Sequence, residues 1–114
     1  MSILKIDHIP TQEEINKLTE EFPQFIKLSI DLQQSIIYGG SRLHFDCEQK
    51  LKNIENSNEK NIWSGGINLA THKIEYDAVA NIKPEYNNPS TEILDFNNRQ
   101  LFKSIVNIYF PDYE

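Results

Sequence analysis

Between residues 25 and 40 the chain carries Ile26, Leu28, Ile30 and Leu32 at every second position. A polar Gln33-Gln34 pair follows, and then Ser35-Ile36-Ile37-Tyr38 runs into Gly39-Gly40. Period two lays alternate side chains on one face of an extended strand. Phe25, Leu28, Leu32 and Ile36 also fit helical spacing, but the run is short and broken by a polar pair, which decides for two strands over residues 24–37 and a β-hairpin.

A second hairpin is expected downstream. Ile62-Trp63 and Ile67-Asn68-Leu69 flank Ser64-Gly65-Gly66, and Ala70-Thr71-His72 connects them to a long alternating run, Lys73 to Lys83, stopped by Pro84. On that strand Ile74, Tyr76, Ala78, Ala80 and Ile82 share one face, and Glu75, Asp77, Val79, Asn81 and Lys83 share the other. A short strand is expected over residues 3–7. Three helices complete the set. The first begins at Thr11, with Glu14 completing a capping box, Ile15, Leu18 and Phe22 facing inward, and Pro23 as its stop. The second is capped by Asp46, covers about residues 47–56 and turns Leu51 and Ile54 inward. The third is capped by Asp95, with Leu101, Phe102, Ile105 and Ile108 on its apolar side, and ends at Pro111. The expected fold is a single α+β domain, residues 1–114: an antiparallel sheet from two hairpins, with helices on one face and the other face partly solvated.

The 11% of aromatic residues argues against a disordered tail. No apolar run approaches the ~18 residues that a membrane span needs, and the opening residues lack the basic start and apolar stretch of a signal peptide. A cytoplasmic location is therefore expected, and the lone Cys47 agrees with it as a small buried apolar residue. The net charge is −6, and Arg42 and Arg99 are the only arginines, a poor surface for neutralising the phosphates of duplex nucleic acid.

The segment Gly39-Gly40-Ser41-Arg42-Leu43-His44-Phe45-Asp46-Cys47-Glu48 holds the most suggestive chemistry. In an extended conformation His44, Asp46 and Glu48 fall on one face, an imidazole and two carboxylates suited to a divalent metal. The same letters also describe a helix cap, a surface carboxylate and a hydrogen-bonded histidine under a glycine turn. Both glycine pairs fit bulges or tight bends and lack the spacing of a phosphate-binding loop. Glu75 and Asp77, with Asn81 and Lys83 on their strand face, offer either a general base beside a cation or a solvated sheet face. Trp63 reads as a core or rim aromatic, and His8 and His72 as exposed residues without partners.

Taken in order, Gly39-Gly40, Leu43-His44-x-Asp46-x-Glu48, Trp63, Asn68, Ile74-Glu75-Tyr76-Asp77 and Asn81-Ile82-Lys83-Pro84 resemble a small bacterial family, domain-of-unknown-function family 5674, over about residues 26–108. The family's usual pattern is GG-x-LH-x-D-x-E, Trp-Gly-x-Asn, an IEF-like strand and Asn-Ile-Arg-Pro. The resemblance brings no activity. It implies that His44, Asp46, Glu48, Trp63, Asn68, Glu75, Asn81, Lys83 and Asn87 belong together. The chain departs from the pattern in the extra Ser64-Gly65 and in Lys83, which cannot supply arginine's bidentate fork.

The leading expectation is a small binding or regulatory domain that recognises a protein partner or small polar ligand through the surface around His44, Glu75 and Lys83, with Trp63, Asn68, Asn81 and Asn87 as further ligand candidates. Two alternatives stand beside it. One is a metal-assisted hydrolase of the phosphate-ester type, with His44, Asp46 and Glu48 holding the metal and Glu75 as base. The other is an antitoxin- or immunity-like partner protein, suggested by size and acidity. The cofactor is left open, a divalent metal being compatible with the sequence, as is a homodimer.

Overall fold

The alternating segments become strands in the computed structural model, which describes residues 2–114. Strands β2 (Phe25–Asp31) and β3 (Ile36–Gly39) pair antiparallel, with Ile30 opposite Ile37 and Leu28 opposite Gly39. Asp31 makes their turn: its Oδ1 accepts the backbone N–H groups of Gln33 and Gln34, and Ser35 takes a left-handed conformation at φ 58°. Strand β1 (Leu4–Ile6) adds to β3, while β4 (Ile62–Asn68) runs along the whole of β2 and carries β5 (Lys73–Glu75) on its far edge. The result is an antiparallel five-stranded sheet in the order β1-β3-β2-β4-β5, and with three helices the fold is α+β.

Helix α1 (Gln12–Leu18) starts with the expected capping box between Thr11 and Glu14. It stops before Pro23 acts: the N–H and hydroxyl of Thr19 both donate to the Ile15 carbonyl, and Phe22 lies beyond the helix, exposed. Helix α2 (His44–Ile54) begins earlier than expected, with Leu43 rather than Asp46 at its N-cap. The polar link at this end is made by Ser41, whose hydroxyl accepts the Leu43 N–H and donates to Asp46 inside the first turn. Leu51 points inward as expected, but Ile54 is exposed. Helix α3 (Phe96–Tyr109) is capped by Asp95, which accepts the Asn98 N–H. Its buried stripe is Phe102, Ile105 and Val106; Leu101 and Ile108, expected inside, sit one helical step off that stripe and face outward.

The long strand expected to Lys83 ends at Glu75 and gives way to single 3-10 turns at Val79–Asn81 and Pro84–Tyr86. Asn81 explains the break. Its Oδ1 accepts the Ser64 N–H and its Nδ2 donates to the Ser64 carbonyl, so a side-chain amide fills the ladder position that the next strand residue would have taken. The supposed shared face of Glu75, Asp77, Asn81 and Lys83 therefore does not form.

Both faces of the sheet are covered, not one. Leu18 of α1 and Phe102, Ile105 and Val106 of α3 pack with Leu28, Ile30, Ile37, Trp63 and Ile67 on one side. On the other, Cys47 and Leu51 of α2 meet Tyr38 and Ile62 in a cluster of four buried residues. Burial pushes the Cys47 thiol up to about 12, as suits an inert core residue. The β4 glycines lie in an unbroken ladder with Leu28 and Lys27, without the expected bulge. What Gly65 supplies is space, because a Cβ there would stand 2.2 Å from the Glu75 carbonyl oxygen. Among the described residues no helix is long and apolar enough to cross a membrane.

Candidate functional site

The first turn of α2 sits over Ser64 and Gly65 of β4, and this contact organises the polar residues. His44 donates from Nε2 to the Gly65 carbonyl at 2.7 Å. A carbonyl oxygen only accepts, so that bond places the imidazole proton on Nε2 and leaves the lone pair on Nδ1, which has no partner among the described residues. Burial lowers the His44 pKa, and the Lys27 ammonium lowers it further, against the opposing pull of the Gly65 bond and Asp77. The ring is thus held neutral.

One helical turn later, on the same face, stands Glu48, 6% exposed. Its Oε2 accepts from the Ser64 hydroxyl at 3.1 Å, and the Ser29 hydroxyl lies 2.7 Å from that of Ser64, completing a chain from Ser29 through Ser64 to the carboxylate. No described residue donates to its other oxygen. Burial raises the Glu48 pKa, and the nearby Lys83 ammonium and the Ser64 hydroxyl pull it back only in part. The folded state therefore holds this proton more tightly than the unfolded chain does. The stability contributed is complete below the unfolded value near 4.5 and is lost as pH rises through the folded value. Glu48→Gln, which removes the charge and keeps an acceptor for Ser64, is accordingly expected to stabilise the protein at pH 7, with the gain fading below about pH 4.5. Urea unfolding at both pH values checks this; a variant less stable than the parent at pH 7 contradicts it.

A cavity of about 630 Å³ opens beside this end of α2. Phe25 and Lys27 of β2 form its floor, His44 and Glu48 one wall, and residues 77–80 with Thr91 the other. Gly66 makes the floor possible, since a Cβ there would meet the Phe25 ring at 2.5 Å. The lip is apolar: Leu43, Phe45 and Val79 are 54%, 59% and 77% exposed. Lys27 places its ammonium 5.2 Å from the centre of the Phe22 ring, and the Asp77 carboxylate makes no hydrogen bond or ion pair with another described residue.

The structure thus brings together His44 and Glu48, with Asn81 tied to the same Ser64 and the Lys83 ammonium near Glu48 and the Trp63 ring, and scatters Asp46, Asn68, Glu75 and Asn87. Asp46 points the other way on α2 and is engaged by Ser41. Residues 44–48 are helical, not extended, so the three-ligand face is lost, and among the described residues no three histidine, cysteine or acidic groups gather to hold a metal. Trp63 is buried on the larger core, donating from Nε1 to the Lys60 carbonyl. Asn68 accepts the Ala70 and Thr71 N–H groups and builds the β4–β5 turn. Glu75 is exposed on the edge strand β5. Asn87 ends a 3-10 turn at φ 61°.

Lys83 is the largest departure from expectation, at 2% exposed. Its ammonium donates to the carbonyls of Glu59 and Ile62, lies 5.0 Å from the Trp63 ring centre and has Glu59 Oε1 at 3.5 Å. Burial lowers its pKa while Glu59 and Glu48 oppose the shift. It anchors the 59–62 segment and is no surface cation. The other histidines are also partnered. His8 meets Asp7 and Glu14, each at 2.7 Å, and its pKa is raised first by the Glu14 hydrogen bond and then by that of Asp7; His72 stacks on Tyr113 with ring centres 4.8 Å apart.

Sequence reasoning missed Ser29 and Ser64, the cavity residues Phe25, Lys27 and Phe45, and above all Asn88. The Asn88 side chain is buried, with Nδ2 within hydrogen-bonding distance of the Asn81, Ser90 and Glu92 carbonyls while Oδ1 accepts the Leu94 N–H. The available signal was the register of β2: counting by two from Phe25 through Lys27 to Ser29 marks a face too polar for the main core.

A family model described as "Protein of unknown function" (DUF5674) matches residues 4–109. No curated protein and no solved structure matches the chain.

Proposed function

Because the chain belongs to this family, whose description assigns no activity, we propose on geometric grounds that it is a ligand-binding domain and that the cavity at the N-terminal end of α2 is its binding site. The observation that carries the reading is the cavity itself, about 630 Å³ with an apolar lip, lined by His44 and the nearly buried Glu48, whose Nδ1 and second carboxylate oxygen have no hydrogen-bond partner among the described residues. Cavities of this size with a few converging polar groups suit small molecules. The ligand carries an apolar body against Phe25, Leu43, Phe45 and Val79 and a hydrogen-bond donor toward His44 and Glu48. This reading keeps His44 from the expected surface and leaves out Glu75 and Lys83.

Titration with small apolar alcohols and amines, followed by amide and His44 ring resonances, tests this. Saturable shifts are expected at residues 25–27, 43–48 and 77–80, and Val79→Asp, which puts a charge on the lip, is expected to weaken binding about tenfold. Shifts that never saturate, or that fall elsewhere, would sink the proposal. The exposed lip of Leu43, Phe45 and Val79 favours a second reading, in which an apolar side chain of a protein partner enters the same cavity. Metal-assisted hydrolysis draws less support, since Asp46 is turned toward Ser41.

A further inference from the structure

Resting on the cavity as a ligand site, we infer that the polar head of its ligand is an amine: an ammonium group on an apolar body, received by Glu48 and His44 with Asp77 at the mouth. The groups facing the cavity are mostly acceptors. Glu48 offers its second carboxylate oxygen, His44 its Nδ1 lone pair and Asp77 an unpaired carboxylate, whereas the one cation, Lys27, already lies over the Phe22 ring. An ammonium supplies three donors and no acceptor, which complements that set. Phe25 and Phe45 line the same space and add aromatic faces suited to a cation.

The reverse assignment fails on the same residues. A carboxylate or phosphate head would meet two carboxylates, and His44 cannot donate to it from Nδ1 while its single ring proton is committed to Gly65. A neutral alcohol supplies one donor and leaves the other acceptors of Glu48, His44 and Asp77 unmatched. A nearly buried carboxylate with one oxygen outside the Ser64 hydrogen bond is a group that an arriving cation can pair with.

The probes are hexylammonium, hexanol and hexanoate, which share one apolar chain, titrated into the full chain at constant ionic strength and read by the resonances named above. Hexylammonium is expected to bind about tenfold tighter than hexanol, and hexanoate weakest. Glu48→Gln and Asp77→Asn should each draw the amine-to-alcohol ratio toward one; Asp77 has no side-chain partner, so that variant keeps the fold even if the first disturbs it. Hexanol binding as tightly as the amine, hexanoate binding tighter, or a ratio unmoved in both variants overturns the amine assignment and leaves the cavity reading standing. If none of the three binds, both fall. If zinc or magnesium chloride reproduces the shifts and hexylammonium does not, the head group is a metal ion and the amine assignment is wrong.

Discussion

Gly65→Ala is expected to unfold the protein or to lower its stability by more than about 4 kcal/mol, beyond the range of ordinary point substitutions. The new Cβ would lie 2.2 Å from the Glu75 carbonyl oxygen and 3.0 Å from Phe102 Cζ. The aromatic ring can turn aside, but the carbonyl is backbone of β5, which is itself held in register by Ile67 opposite Ile74. Relief would demand that β5 leave β4. The Gly65 carbonyl also receives His44, so any shift of β4 at this position would disturb that hydrogen bond as well. Gly39→Ala is the control: its worst contact, 2.7 Å, is with the side-chain Cδ2 of Leu28, which has other rotamers, and a loss of about 1–2 kcal/mol is expected there. Urea unfolding of both variants decides the matter. A Gly65→Ala protein as stable as Gly39→Ala would show that β5 yields freely and that the close approach is unimportant.

The second large effect is expected at Asn88. Removing its side chain in Asn88→Ala takes the donor from the Asn81 and Glu92 carbonyls and the acceptor from the Leu94 N–H, all at once. Leaving buried polar groups unpaired costs about 1–3 kcal/mol each, so a total of about 3–5 kcal/mol is expected after partial rehydration. Asn88→Asp separates this network from mere packing. It keeps the shape and the acceptor but turns oxygen toward carbonyl oxygens, and should be nearly as damaging. The neighbouring Asn87 gives the contrast, because its left-handed backbone at φ 61° needs no side-chain partner and Asn87→Gly should be close to neutral. Thermal unfolding of the four proteins ranks them. Equal losses at positions 87 and 88 would refute the network.

How far the sequence could be read follows from which interactions are local. The hairpin of β2 and β3, the Thr11–Glu14 box and the Asp95 cap depend on residues within a few positions of one another, and each was legible. The extended reading of Lys73 to Lys83 failed because its letters alternate correctly, while the decisive interaction, Asn81 with Ser64, spans 17 positions. Lys83 failed for the same reason: nothing near it in sequence announces carbonyls at Glu59 and Ile62 able to hold a buried ammonium. His44 and Glu48 were singled out for chemistry under an extended geometry, yet it is the helical spacing that places them together. Asp46, between them in sequence, was grouped with them by the strand reading and is separated from them by the helix. The serines were invisible because alternation marks them only as polar, without saying that a helix would cover that face.

The strand order carries a consequence for how the molecule assembles. β2 meets β3 across a tight turn but meets β4 only after the intervening α2 has been spanned, with Ile30 opposite Trp63. Closing so long a loop must precede the contacts that reward it, so the β2–β4 ladder is expected to form after the hairpin. His44 and Glu48 take their places against Ser64 and Gly65 of that same ladder. The cavity is therefore absent from any early hairpin-containing state and comes into being with the final long-range pairing. A ligand that fills it recognises completed folding and, by mass action, holds the chain there.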